Sequence, residues 1–330
     1  MLERMRRAIP ITAAALAMLL ASCGPPEASE PRDRSLVAEV ERRPWQTPYG
    51  RGESLRSEHY RIYSTAQREE LRVYLPGYME AAYEQYLRMT GLPDEPVDEP
   101  MPMYMLSGRQ EWSALTEQIF GADSKALHIE AGGYCHRGIC VLWDIGGSYT
   151  LSVASHEGLH QFFHHRLENK LPMWLEEGFC TLAEGHQTVG RAVRFTPTKN
   201  PSRFNALRSA IVNDRWYTIE ELLPMDAGDV VTQGSEHAVG YYGQLWALAQ
   251  FIQSRPQYRE GLHRLMADAA AGKFDAALDL PPGALAKLHK RGRTYNRTIG
   301  EPIFRHYISD DLAGFEKEYR AYAEKLARLR

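Results

Sequence analysis

SYTLSVASHEGLHQFFHHRL, residues 148–167, and LPMWLEEGFCTLAEG, residues 171–185, decide how the rest of the chain is read. Within the first, HEGLH at residues 156–160 sets two histidines four apart with a glutamate after the first. On a helix such positions share one face about 6 Å apart along the axis, so His156 and His160 can aim ring nitrogens at one metal ion. Glu157 then falls beside that ion, where a general base takes a proton from water activated by the metal. In the second stretch, Leu171-Pro172 ends one helix and opens the next, proline being suited to a first turn. The first helix travels roughly 12 Å from His160 to about Glu168, and its successor can return past the metal. Glu177 is thereby placed as third ligand, with Glu176, about 100° round the helix, as the alternative. Two imidazoles, one carboxylate and one water leave zinc an open position, the mark of a catalytic site.

A chain of 330 residues, 44% hydrophobic and 10% aromatic, can bury a substantial core as one large domain or two small ones. Its formal net charge of −3 gives no general pull toward nucleic acid or anionic membrane. The amino terminus carries Arg4, Arg6 and Arg7, then an apolar run from about Ile11 to Leu20 that is too short to span a bilayer, as in a secretory signal. Leu20-Ala21-Ser22-Cys23 resembles the lipobox of bacterial lipoproteins, which makes residues 1–22 the signal peptide and Cys23 the lipidated first mature residue. With Gly24 following, the resemblance implies no inner-membrane retention, so the expected location is the periplasmic side of the outer membrane.

Residues 23–55, which include GPPEASEPRDRS, are expected to be a flexible tether, and residues 56–330 the folded domain. SEHYRIYST predicts a strand, with Ser64 or Thr65 capping a helix toward Met89 that Pro76-Gly77 should kink or split. MPMYML at 101–106 predicts another strand, then a helix over 109–119 and a β segment over about 126–145 with turns at Gly132-Gly133 and Gly138. From residue 149 helical patterns dominate, over about 150–167, 173–185, 203–213, 235–254, 258–271 and 310–329. The basic stretch KLHKRGRTYNR, 287–297, reads as a solvated loop. The expected order is therefore a small α/β part, 56–148, then a helical part, 149–330, with HEGLH at the seam.

HEGLHQ followed by LPMWLEEGF resembles the gluzincin group of zinc metallopeptidases, whose third ligand lies in a W-L-x-E-G segment; Trp174-Leu175-Glu176-Glu177-Gly178 assigns it to Glu177. Metzincins fit poorly, because Phe163 and Arg166 stand where their glycine and third histidine belong. SEHYRIYST, PMYMLSGRQEW, AGGYCHRGICVLWD, YYGQLWALAQFI and the terminal DLAGFEKEYRAYAEKL resemble, in order, the bacterial gluzincin-like domain of unknown function 1570, over most of residues 57–327. The resemblance implies an α+β, thermolysin-like fold with a small mixed sheet whose edge strand faces the cleft, then a helical half. It implies one zinc ion per chain and a peptide or protein substrate.

The aminopeptidase N branch of gluzincins has a tyrosine that steadies the oxyanion, and Tyr242 in YYGQLWAL resembles it loosely; Tyr241 is the alternative, and a core tyrosine the plainer reading. GGYCHRGICVLWD supplies the edge strand by resemblance, and Cys135 and Cys140 either close its hairpin as a disulfide or stay free. Cys180 reads as a small buried apolar residue, His164 and His165 as caps of the helix end, and His237 as a surface histidine. The expected function is zinc-dependent hydrolysis of peptide bonds, with Glu157 as base and Tyr242 as electrophile. The rivals are a catalytically idle, lipid-tethered binding module and a zinc hydrolase of non-peptide amides.

Overall fold

The computed structural model describes residues 32–129, 132–231, 234–288 and 292–328. The signal-like segment and Cys23 lie outside the described residues. The chain runs β1 (Arg34–Ser35), β2 (Glu41–Thr47), β3 (Gly50–Arg56), β4 (Tyr60–Ser64), α1 (Glu69–Thr90), β5 (Met101–Leu106), α2 (Arg109–Phe120), β6 (Gly133–His136) and β7 (Ile139–Trp143). There follow α3 (Gly147–Arg166), α4 (Met173–Ala183), β8 (His186–Val189), β9 (Ala192–Phe195) and α5 (Pro201–Val212). The remainder is helical: α6 (Ile219–Leu222), α7 (Ala227–Val231), α8 (Ser235–Ser254), α9 (Pro256–Ala270), α10 (Phe274–Ala277), α11 (Ala284–Leu288), α12 (Gly292–Tyr307) and α13 (Leu312–Arg328). Among the described residues no helix is long and apolar enough to cross a membrane.

A six-stranded mixed sheet, in the order β2-β3-β4-β5-β7-β6, is antiparallel at both ends and parallel through β4, β5 and β7. The interior strand β7, next to the edge strand β6, reads ICVLW, apolar on both faces, because both faces are covered. Cys140 and Leu142 join the main core with Tyr60, Ile62 and the buried residues of α1 and α3. Val141 and Trp143 face the other way onto α2, where the Trp112 and Trp143 rings stand 4.4 Å apart. The helical half also holds the β8–β9 hairpin, which pairs with β1 to form a second sheet in the order β1-β9-β8.

Four expectations need correction. Residues 34–56 are not tether: β1 and the β2–β3 hairpin join the two sheets, Leu55 is buried, and Trp45 packs on Tyr63 and Tyr104. Pro44 disguised this region, yet on an edge strand its missing N–H costs no ladder bond. Helix α1 is neither capped by Ser64 or Thr65 nor split at Pro76; it runs unbroken from Glu69, and the Thr65 hydroxyl bonds Glu111 instead. The β segment at 126–145 begins later, a 3-10 turn occupying Lys125–His128. The basic loop at 287–297 is, from Gly292 on, the start of α12, which buries Tyr295, Ile299, Ile303 and Tyr307 at helical spacing.

Candidate metal centre

Helix α3 begins where Asp144 gathers the chain. Its carboxylate accepts from the Gly146 N–H at 2.8 Å and the Thr150 hydroxyl at 3.2 Å, and Arg68 clamps it with two bonds of 2.6 and 2.8 Å. Burial would raise the Asp144 pKa, but Arg68 outweighs it and holds the carboxyl below its ordinary value. The back of α3 is seated on α1. The Tyr86 hydroxyl donates to the Ser155 carbonyl at 2.7 Å and that of Tyr78 to the Ser155 hydroxyl at 3.1 Å. A Cβ at Gly158 would stand 2.6 Å from Met79 and 2.7 Å from the Tyr86 oxygen, so glycine is what lets the two helices meet here. With that face buried, His156, Glu157 and His160 are left to the cleft.

Helix α4 returns past them, as its proline start and apolar spacing require, and brings Glu177 to the same point. The Glu177 Oε2 atom lies 3.4 Å from His156 Nε2 and 3.7 Å from His160 Nε2. Bonds of about 2.0–2.1 Å from a tetrahedral zinc put its ligand atoms roughly 3.3–3.5 Å apart. The spacing therefore fits a shared ion better than direct hydrogen bonds, and among the described residues Oε2 is a buried oxygen without a hydrogen-bond partner. On their far sides both rings are held. His156 Nδ1–H donates to Glu184 Oε1 at 2.9 Å and His160 Nδ1–H to Glu176 Oε1 at 2.8 Å, so each Nε2 is turned toward Glu177. Two imidazoles and a buried carboxylate, with carboxylates behind the imidazoles, are a donor set that suits zinc.

Electrostatics agree with a site made for a cation. Burial opposes charge on His156, yet the Glu177 and Glu184 carboxylates outweigh it and raise its pKa to about 9. His160 is raised as well, burial again being outweighed, here by Cys180 and Glu177. The Glu177 carboxyl, which burial alone would raise, is held well below the usual range by the two histidines. Glu157 moves the other way: burial lifts its pKa, partly offset by His156 and His160.

A cleft of about 660 Å³ opens onto these groups. It is lined by Gly133, Tyr134 and Cys135 of β6, by Arg137 and Gly138 of the turn that follows, by the HEGLH face, by residues 167–171, and by Glu177 and Tyr242. Strand β6 is the sheet's edge. Tyr242 is half-buried in the cleft lining, whereas Tyr241 is fully buried beside it. The Tyr242 phenol has its pKa raised by the Glu177 charge first and by burial second.

His164 is exposed and lines the cleft, His165 bonds the Gly138 carbonyl at 3.2 Å, and His237 pairs with the Tyr217 hydroxyl at 3.1 Å. Cys135 and Cys140 face each other across β6 and β7 and are free thiols, the second of the two readings the sequence left open. The Cys140 thiol turns instead to donate to the Glu157 carbonyl at 3.2 Å.

Three participants escaped the sequence. Glu184 lies seven residues after Glu177, two turns along the same face of α4, a spacing from which its place could have been inferred. Cys180, on that same stripe, brings its sulfur and one nitrogen each of His156 and His160 to within 4.8 Å of one another. Arg203, which holds Glu184, comes from α5 and leaves no local signal. Compared with models of known protein families and with curated proteins, the chain matches none.

Proposed function

We propose that the chain is a zinc-dependent hydrolase of peptide bonds, of the gluzincin type and with a thermolysin-like division into a strand wall and a helical wall. The observation that carries this is the convergence of His156 Nε2, His160 Nε2 and Glu177 Oε2, each histidine held from behind, beside Glu157 in an open cleft. When bound, zinc supplies Lewis acidity, polarising a carbonyl and lowering the pKa of water in its coordination sphere. Glu157 accepts a proton as water attacks and returns it to the departing amine. The protonated Tyr242 phenol offers its O–H to the carbonyl oxygen as that atom gains charge. Strand β6, an edge of the sheet among the described residues, can receive an extended peptide as an added strand.

The test is a peptide library presented to purified protein with and without a chelator. Cleavage that disappears with chelator and returns with zinc is expected. Glu157→Gln should keep about one zinc per chain and lose turnover by about 10²–10⁴-fold. Stoichiometric zinc without any cleavage would overturn the proposal in favour of a tethered binding module. The same proposal has Cys23 carry lipid on the periplasmic side of a membrane. Cys23→Ser should abolish incorporation of labelled fatty acid and release the protein into the soluble fraction; labelling that survives would refute it.

A further inference from the structure

Behind His156 lies a carboxylate that is itself held. Glu184 Oε1 takes the His156 Nδ1–H, and the same carboxylate is gripped from α5. The Arg203 Nε–H donates to Glu184 Oε2 at 2.8 Å, while Nη2–H donates to Oε1. The Asn200 amide adds a third bond, to Oε2 at 2.9 Å, and its own oxygen caps α5 by accepting the Arg203 backbone N–H at 3.3 Å. The Glu184 side chain is 9% exposed and that of Arg203 21%, so this fork lies largely out of water. Such a two-point clamp fixes the plane of the carboxylate as well as its position, and so fixes the ring that bonds to it.

The same guanidinium has a second neighbour. Its Cζ lies 5.3 Å from the centre of the Tyr242 ring. That approach depends on Gly243: a Cβ there would stand 2.5 Å from the Leu207 backbone nitrogen and 2.9 Å from the Ala206 carbonyl carbon. Helices α5 and α8 therefore touch beside the ring, and Arg203 is laid across it. His160 has no such support. Its carboxylate, Glu176, makes no ion pair with an arginine or lysine among the described residues.

We propose that Arg203 is a positioning residue that ties the metal centre to Tyr242, holding His156 through Glu184 and the phenol ring through direct contact. The first half stands on geometry alone; the second rests on the hydrolase proposed above. Lysine cannot replace it fully, since one ammonium cannot occupy both carboxylate oxygens and lie flat over a ring.

The experiment measures zinc affinity by competition with a chelating dye, and the visible spectrum of the cobalt-loaded protein, for Arg203→Met, Arg203→Lys, Glu184→Gln and their combinations. Arg203→Met should weaken zinc binding about 10–100-fold and alter the cobalt spectrum, with Arg203→Lys recovering part of both. Adding Glu184→Gln to Arg203→Met should cost little more than either alone, because both act through His156. Tyr242→Phe should leave zinc affinity unchanged. With a cleavable peptide, Arg203→Met should lower kcat more than it raises KM, and its effect should not add to that of Tyr242→Phe. Should Arg203→Met fail to fold, Asn200→Ala, which removes one bond to Glu184, must still weaken zinc measurably. A folded Arg203→Met protein whose zinc affinity stays within twofold of the parent overturns the inference. A clear zinc effect in a protein that cleaves nothing leaves the His156 half standing while removing the hydrolase and, with it, the Tyr242 half.

Discussion

His156, Glu157 and His160 come from a single stretch of α3, whereas Glu177, Glu184, Arg203 and Tyr242 are drawn from α4, α5 and α8. The first wall of the cleft is positioned by the repeat of one helix, and its errors are bounded by that helix's geometry. The second exists only if three helices pack at the right distance, with Gly178 admitting the Leu245 carbonyl and Gly243 admitting α5. The two histidines inherit the difference. Among the described residues the carboxylate behind His160, Glu176, is 19% exposed and has no arginine on it, whereas His156 is backed by Glu184 together with Arg203 and Asn200. Chemistry written locally tolerates loose packing, and chemistry assembled from afar does not.

The sharpest way to break this contrast is to ask whether the helical wall contributes a ligand at all. Glu177→Gln preserves shape and removes the charge between the two Nε2 atoms. If binding of roughly 10–16 kcal/mol is shared among the three protein donors, losing one should cost about 10²–10⁴ in affinity. Metal content after dialysis against a weak chelator should fall from one per chain toward zero. Retention at the parental level would mean that α3 binds the metal unaided.

Next in size is the inequality between the two supporting carboxylates. Removing an outer hydrogen bond to a metal-binding histidine typically costs 10–100-fold. Glu184→Gln should sit at the upper end, because it also strands the Arg203 guanidinium in a largely buried place. Glu176→Gln should sit at the lower end, since water can replace its carboxylate. Equal losses in a dye-competition titration would erase the distinction between a braced and an unbraced histidine.

What could be foreseen divides along the same line. Helices α3 and α4 were legible as helical patterns separated by Leu171-Pro172, and HEGLH carries its geometry within five residues. The strands β4 and β5 were legible from alternation over Tyr60, Ile62, Met101 and Met103. The β2–β3 hairpin was not, since ERRPWQT is exposed on most of its length and its apolar contacts, Trp45 on Tyr63 and Tyr104, are made across strands. Helix α12 was hidden by a basic run over its first turns, although Tyr295, Ile299 and Ile303 are spaced to be buried. Arg203 could not have been found, for nothing near it in sequence points to Glu184 or Tyr242.

Packing on the helical wall can be tested without any metal. Gly243→Ala places a methyl group against the Leu207 nitrogen and the Ala206 carbonyl carbon, an overpacking that should cost about 1–3 kcal/mol in urea unfolding. Gly108→Ala is the matched change on the strand side, at the start of α2, where among the described residues nothing lies within 4 Å and the backbone is extended. Because Gly108 is the N-cap of α2, where glycine is preferred to alanine, the change should cost less than about 1 kcal/mol. Comparable losses at both positions would show that α8 has slack to yield, and the reliance of Tyr242 on close helix contact would go with it.

The smallest effect concerns pH, and it belongs to the strand half alone. His59, at the mouth of β4, bonds Glu80 of α1 at 2.6 Å and stacks on Tyr83. Burial disfavours charge on His59, but Glu80 outweighs it and raises the imidazole above 6.5. Burial likewise disfavours charge on Glu80, and the bonds from His59 and Ser57 outweigh it, bringing the carboxyl below 4.5. A raised histidine gives its full stabilisation below its unfolded pKa and loses it as pH rises through the folded one. A lowered carboxyl gives its full stabilisation above its unfolded pKa and loses it as pH falls through the folded one. The pair should therefore contribute most between about pH 4.5 and 6.5, on the order of 1 kcal/mol. Urea midpoints of His59→Gln against the parent should differ most inside that window and converge on both sides. A gap that stays constant to pH 9 would assign the stabilisation to ring stacking on Tyr83 rather than to charge, and would leave the α1–β4 contact indifferent to protonation.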